Sequence, residues 1–546
     1  MRILFLTLLS SLFLTAKAQT IEADFNSVVP LPDAVTQVNG VQPIALSKLE
    51  CICYGVNDER MIRTARFLSA YIKELTGEEL PVQIDVSRSI PAILLGINKK
   101  MTAPEGYVIE VGKKSIRIEG ATPQGVFYGI QAFRKALPQV SSERVVIPPV
   151  RVSAVPRFGY RGLHFDVSRH FFSIDFIKQY IDMMALHQMN TFHWHITDDQ
   201  GWRFPVAKYP RLTEVGAWRD ETVIGRNSGL YDHQRYGGFY TSEQIRDIVR
   251  YAQERFITII PEVDMPGHME AALAAYPELG CTGGPYEVEK NWGIFDDVLC
   301  PGKEQTFQFI CDVLDEVMAL FPSEYIHIGG DESPRTRWKV CPDCQKRISQ
   351  EGLQGDDKRS AEDLLQGYFT RRVEKYVQSR GRKIIGWDEL IDCNVDASAT
   401  IMNWRSWQSK EDVIRAAERG HDIIKVPTDP LYFDYYQTHD SVWNRPFLIG
   451  GFCPLENVYA YEPAPADLSP EAKSHIIGVQ ANLWTEYIVT EELAEYQILP
   501  RIAALCELQW LQPEKKNYQA FLRRLRSLTA LYRLYGWTYC DAGLEE

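Results

Sequence analysis

Beyond its first residues the chain lacks any apolar run long enough to cross a bilayer, which takes about 20 residues. It also lacks a cationic excess: 59 lysines and arginines face 72 aspartates and glutamates, a net charge of −13. Nucleic-acid binding draws on clustered cations, so that class is excluded, and the same balance disfavours anionic membrane surfaces. No tryptophan occurs before Trp194, although the chain has twelve, so the N-terminal part reads as a scaffold and not as an aromatic ligand platform. No second Cys-x-x-Cys accompanies Cys341-Pro342-Asp343-Cys344. A zinc site wants a second pair at regular spacing, and the lone pattern reads instead as a local disulfide or two structural thiols.

What is present points to an exported protein. Arg2, the apolar stretch Ile3 to Leu14 and Ala16-Lys17-Ala18 have the order of a secretory signal peptide, with cleavage expected before Gln19. The first cysteine is Cys51, so no lipid-modified cysteine follows the site. Eleven cysteines leave at least one thiol unpaired within the chain. Cys281 and Cys300 flank a Gly/Pro-containing excursion that they could staple in an oxidising compartment. Hydrophobic content of 45% and charged content of 24% suit a globular protein, and 546 residues suggest two or three domains.

Residues 19–155 read as a small α+β domain. Pro91 to Gly96 and Ser115 to Glu119 have strand character, while Asn57 to Leu75 and Gln124 to Leu137 carry helical periodicity. Pro148-Pro149 and Pro156 punctuate the exit. Residues 156–546 then repeat a short apolar strand followed by a longer amphipathic helix. The expected strands are Tyr160 to Asp166, Asn190 to Ile196, Phe256 to Glu262, Tyr325 to Gly329, Arg382 to Trp387, Ala399 to Trp404, Asp422 to Val426 and Ile476 to Gln480. Strands alternating with helices in this way predict an α/β fold, a (β/α)8 TIM barrel, with a C-terminal helical extension. The competing doubly wound sheet lacks a glycine-rich fingerprint after its first strand.

Carboxylates cluster just past these strands: Asp166, Asp198 with Asp199, Glu262 with Asp264, Asp331 with Glu332, Asp388 with Glu389, and Glu486. Barrel active sites assemble at those C-terminal ends. Tyr325-Ile326-His327-Ile328-Gly329-Gly330-Asp331-Glu332 is the most telling stretch. Adjacent strand residues point to opposite faces, and two glycines permit the kink that would aim both acids into one pocket. Paired carboxylates there suit glycoside hydrolysis, although a solvated loop after a strand would show the same letters.

Five motifs carry a family resemblance: Arg161 to Asp166 (RGLHFD), His193 to Trp202 (HWHITDDQGW), Pro261 to His268 (PEVDMPGH), His327 to Glu332 (HIGGDE) and Gly478 to Glu486 (GVQANLWTE). In this order they resemble glycoside hydrolase family 20, the β-N-acetylhexosaminidases, and the preceding α/β domain is similar to the one those enzymes carry. The resemblance implies a retaining, exo-acting enzyme that removes terminal β-linked GlcNAc or GalNAc from an oligosaccharide or glycoconjugate. The family's catalysis is substrate-assisted: the 2-acetamido oxygen attacks its own anomeric carbon, giving an oxazolinium-type intermediate that water opens. No cofactor, metal or oligomeric state is implied.

By the same resemblance Glu332 is the general acid and base, with a raised pKa, and Asp331 stays ionised to orient the acetamido group and face its developing positive charge. Asp198 and His268 form a polar relay behind Glu332. Arg161 grips the 3- and 4-hydroxyls, Asp434 and Glu486 receive the 4- and 6-hydroxyls, and Tyr432 binds the acetamido oxygen. Trp387, Trp404 and Trp484 wall the pocket. Plainer readings exist: Arg161 as a barrel-end ion pair, Trp387 and Trp404 as core aromatics, His193, His195 and His268 as barrel packing or metal ligands. A lacto-N-biosidase-like member releasing a disaccharide is the runner-up. A non-catalytic glycan-binding scaffold is the alternative from another class, and the presence of both Asp331 and Glu332 speaks against it.

Overall fold

The computed structural model describes residues 19–84, 90–439 and 447–544; the expected signal peptide, residues 1–18, lies outside them. The chain forms two compact units, one of residues 34–153 with the N-terminal segment through Phe25, the other of residues 26–33 with residues 154 onward.

The first unit is a seven-stranded mixed sheet. Its order is Ala34–Gln37, Val150–Ala154, Tyr107–Val111, Ser115–Gly120, Ala92–Ile97, Cys51–Tyr54 and Val82–Ile84. Two helices, Glu59–Thr76 and Pro123–Ala136, cover it. Asp58 starts the first by accepting from the Arg60 N–H, and Gly77 (φ +78°) ends it in the left-handed conformation. Thr122 accepts from the Gly125 N–H and Pro123 opens the second, the usual division of labour at helix starts. The second helix lies so close to the sheet that a Cβ on Gly129 would stand 2.6 Å from Ile118 Cγ2.

In the second unit eight parallel strands close into a barrel: β1 (Tyr160–Asp166), β2 (Thr191–His195), β3 (Thr258–Glu262), β4 (Tyr325–His327), β5 (Lys383–Trp387), β6 (Thr400–Asn403), β7 (Ile423–Lys425) and β8 (Ile476–Ala481). Closure is direct, because Leu163 of β1 registers with Phe192 of β2 on one side and Ala481 of β8 on the other. The fold is therefore the (β/α)8 barrel expected from the strand–helix alternation. Strand β2 shows why the apolar pattern is broken by histidines. Phe192 and Trp194 point outward against Tyr180 and Tyr240, with ring centroids 5.6 and 5.1 Å apart. His193 and His195 point inward and meet Glu262 of β3 at 3.0 and 2.5 Å. His164, His327 and Gln480 are buried beside them, and Ile260, Ile385, Trp387, Met402, Ile424 and Val426 form one apolar cluster. Among the described residues no helix is long and apolar enough to cross a membrane.

Candidate active site

The turn after β4 decides the site. Gly329 and Gly330 take φ of +62° and +104°, and a Cβ on Gly329 would stand 1.7 Å from Asp264 Oδ1, so only glycine fits. The Gly330 N–H donates to that same oxygen at 3.0 Å. Glu332 follows at φ +45° and His268, after β3, sits at φ +54°. Such angles cost a non-glycine residue on the order of 1–3 kcal/mol and persist where the surroundings enforce them. The kink sends both acids toward one cavity of about 510 Å³ at the C-terminal mouth of the barrel.

Two carboxylates in that cavity hold unmet acceptors. Asp331 Oδ1 and Asp434 Oδ1 are buried and accept no hydrogen bond among the described residues, yet both residues line the cavity. An unpaired buried acceptor is costly, and here each faces the space a ligand would fill. Burial pushes the Asp331 carboxyl well above the usual carboxylate range, and Asp264 adds to it; Asp264 itself is pushed up to about 8 by burial. Asp331 is expected to be ionised when it meets a cation, and these influences act on its carboxyl without one. Its carboxylate form needs a cation against it, and a positively charged ring nitrogen would supply one. Burial likewise lifts Asp434, with Glu486 contributing.

Glu332, with its side chain 36% exposed, lies with Oε2 3.7 Å from His268 Nε2. Nδ1 of His268 is 3.1 Å from Asp198 Oδ1 and 3.2 Å from Asp199 Oδ2. Burial works against charge on His268, but Asp198, Asp199 and Glu332 outweigh it and raise its pKa well above the ordinary value. The chain of contacts continues inward. Asp198 Oδ2 accepts from His195 Nε2 at 2.8 Å, and His195 Nδ1 meets Glu262 at 2.5 Å. Glu262 also accepts the Trp387 indole N–H at 3.0 Å and lies 2.9 Å from His327 Nδ1, which accepts the Gly329 N–H at 3.1 Å. His193, His195 and His327 thus gather around one buried carboxylate.

At the opposite wall Arg169 reaches Asp198 at 2.9 Å, Asp166 at 3.2 Å and Glu486 at 3.9 Å. Its guanidinium carbon is 5.1 Å from the ring centre of Trp484. Trp404 donates its indole N–H to Glu389 at 3.1 Å, and Trp407 stands edge-on to it at 5.4 Å, 67% exposed. Tyr432, Asp434, Trp484 and Glu486 complete the lining, with Trp292 on the loop after β3.

The structure brings together Asp198, His268, Asp331, Glu332, Trp404, Tyr432, Asp434, Trp484 and Glu486. It does not bring Arg161. That residue begins β1, at the N-terminal end of the barrel, where its buried guanidinium donates to the carbonyls of Gln188 and Phe158 over the ring of Trp510. The arginine that lines the cavity is Arg169, just past the C-terminal end of the same strand. Trp387 lies one layer below the cavity, 1% exposed, with its ring centre 5.9 Å from Trp484. Sequence reasoning missed Arg169, Trp407, Trp292 and the bracing role of Asp264. The signal for Arg169 existed, since strand direction places residue 161 at the wrong end.

The cysteine reading also changes. Cys341 and Cys344 are not alone: Cys281 and Cys300 fold onto them, and all four sulfurs lie within 4.8 Å of one another.

Comparisons with known proteins agree with this geometry. The family model for the glycosyl hydrolase family 20 catalytic domain matches residues 158–513, and that for domain 2 of the same family matches residues 26–153. A β-hexosaminidase of Porphyromonas gingivalis is 42% identical over 94% of this chain, which spans 64% of that relative's length. A β-N-acetylhexosaminidase of Cellulomonas fimi is 27% identical over 91% of this chain and 92% of its own. Among solved structures, the family 20 β-N-acetylhexosaminidase of Streptomyces coelicolor superposes with a TM-score of 0.81 at 28% identity, covering 97% of this chain and all of that one. An exo-β-N-acetylglucosaminidase of Vibrio harveyi, solved with N-acetylglucosamine, gives 0.81 at 31% identity, covering 96% of this chain and 79% of that one.

Proposed function

The chain belongs to glycosyl hydrolase family 20, and from that premise we propose that it is an exo-acting, retaining β-N-acetylhexosaminidase working by substrate assistance. The observation that carries the reading is the pairing of Asp331, a half-buried acid with one buried, unmet oxygen, with the half-open Glu332 at the end of a glycine-kinked strand. The named relatives act on the same class of sugar.

In the proposed reaction a terminal β-N-acetylhexosamine enters with its 2-acetamido group toward Asp331, Tyr432 and the indoles. Glu332 gives its proton to the glycosidic oxygen as the acetamido oxygen bonds to C1 and the C1–O bond breaks. Positive charge then sits on the acetamido nitrogen, whose N–H Asp331 accepts. The tethered nucleophile avoids the entropy cost of a bimolecular attack. Glu332, now a carboxylate, takes a proton from water as the water adds to C1 and reopens the ring, so the anomeric configuration is retained. The charged His268 beside Glu332 eases the negative charge that Glu332 acquires. Arg169, Asp434 and Glu486 offer a donor and two acceptors to the sugar hydroxyls at a closed end, which supports release of one sugar at a time.

The test compares aryl β-GlcNAc, β-GalNAc and β-glucoside. The glucoside, with a 2-hydroxyl in place of the acetamido group, is expected to be inert, and a thiazoline mimic of the cyclised intermediate is expected to inhibit strongly. A trapped sugar ester on Asp331 or another carboxylate would overturn the mechanism and point to double displacement.

A further inference from the structure

Four cysteines from three places in the second unit converge outside the cavity. Cys281 follows the short helix after β3, Cys300 precedes the helix Glu304–Leu320, and Cys341 and Cys344 stand at the start of the helix Pro342–Gln350. Their sulfurs are 3.7 Å apart for Cys281 and Cys344, 3.7 Å for Cys300 and Cys341, and 3.5 Å for Cys300 and Cys344. A disulfide needs about 2.05 Å. A tetrahedron of sulfurs at the usual zinc–sulfur bond of about 2.3 Å has edges of about 3.8 Å. The observed spacings match the tetrahedron. Two disulfides would also pair the sulfurs off, whereas here Cys300 lies 3.7 and 3.5 Å from the two members of the Cys-x-x-Cys pair.

The surroundings are built for thiolates. Gly302 carries the chain directly over the pair, since a Cβ there would stand 2.3 Å from the Asp343 carbonyl carbon and 2.5 Å from the Cys344 nitrogen. Its N–H donates to the Cys300 sulfur. The Cys300 N–H is held by Leu279 O at 2.9 Å and the Trp338 indole N–H by Leu299 O at 3.0 Å. Val298, Trp338, Ile348 and Leu365 close a dry shell around the sulfurs. Hydrogen bonds to sulfur and a dry shell are what orient a soft ligand set and keep water from it.

We propose that Cys281, Cys300, Cys341 and Cys344 bind one structural zinc ion. Zn2+ replaces the four thiol protons, which pass to solvent, and no electron is transferred. An all-sulfur tetrahedral set with no open position suits a structural and not a catalytic ion. The ion would tie the long loop after β3, which carries His268 and Trp292, to the segment that follows Glu332. Arg337 paired with Asp297 at 2.8 Å crosses the same seam. The site thereby holds two walls of the cavity in register without touching substrate.

The test uses the whole chain, purified without chelator. Metal analysis is expected to find about one zinc per chain, with four cysteines shielded from thiol reagents until a mercurial releases the metal. Cys344→Ser is expected to lose at least about nine-tenths of the zinc and to melt at lower temperature. To separate metal loss from misfolding of that variant, cobalt is exchanged into the unaltered protein; intense absorption bands of a tetrahedral cobalt–thiolate centre are expected. Two disulfides in a non-reducing peptide map, four free thiols without metal, or iron in place of zinc would each overturn the assignment.

Discussion

The Nε2 atom of His268 lies 3.7 Å from Oε2 of Glu332, and both residues hold left-handed backbone angles, φ +54° and +45°. Two strained residues from successive barrel strands are thus turned toward each other. His268 in turn leans on Asp198 and Asp199, so its charge and its orientation have one source.

Replacing His268 by Ala is expected to lower kcat by about 10- to 100-fold, less than the roughly 10² to 10⁴-fold that full general acid–base catalysis contributes. KM is expected to change little, and the pH–rate profile is expected to shift on the limb that reports the acid. A normal profile with normal kcat would reduce His268 to packing.

Glu332→Gln is expected to slow natural disaccharides by about 10² to 10⁴-fold and aryl glycosides with good leaving groups much less. Protonation matters most when the departing alkoxide is poor. Equal losses on both substrate types, measured side by side, would remove Glu332 from the acid role.

The two arginines separate cleanly. Arg169→Lys is expected to cost about 1.5–3 kcal/mol in kcat/KM, the range of a charged hydrogen bond, because a lysine cannot reproduce a planar fork shared with Asp166 and Asp198. Arg161→Lys is expected to lower Tm while leaving KM unchanged, since its donors serve the carbonyls of Phe158 and Gln188. A rise in KM for the Arg161 variant would restore it to the sugar site.

His170 gives a pH signature in stability. Burial lowers its pKa from 6.5 to about 3, with Arg219 contributing, and its Nδ1 is 2.6 Å from Thr485 O. The native ring stays neutral, while the unfolded ring takes up a proton below 6.5. Stability from this group is therefore fully present above pH 6.5 and lost as pH falls toward 3, at up to about 1.4 kcal/mol per pH unit. Urea midpoints between pH 7 and 4 are expected to fall more steeply for the native chain than for His170→Gln; equal slopes would contradict the neutral assignment.

Much of this was legible in the letters. The β1 and β4 starts, Tyr160 and Tyr325, follow from short apolar runs, and the glycine pair before Asp331 announced a kink that the φ angles bear. The carboxylates past the strands named the mouth of the barrel. Arg161 was misread because a motif lies along a strand some 20 Å long, and its two ends serve opposite faces of the barrel. Glu262 looked like another mouth carboxylate, but it turns inward to three histidines.

The sequence by itself determined the fold class, the strand order and the adjacency of the acid pair, because period, glycine conformation and strand polarity are local properties of a chain. Only the tertiary structure decided which arginine lines the cavity, that burial raises the Asp331 carboxyl above the usual range, and that Cys281 and Cys300 meet Cys341 and Cys344. Each of these depends on groups far apart in the chain sharing a few ångströms of space, Arg169 with Asp198, Asp331 with Asp264 and Cys281 with Cys344, and spacing along a sequence carries no information about which loops will close over one another.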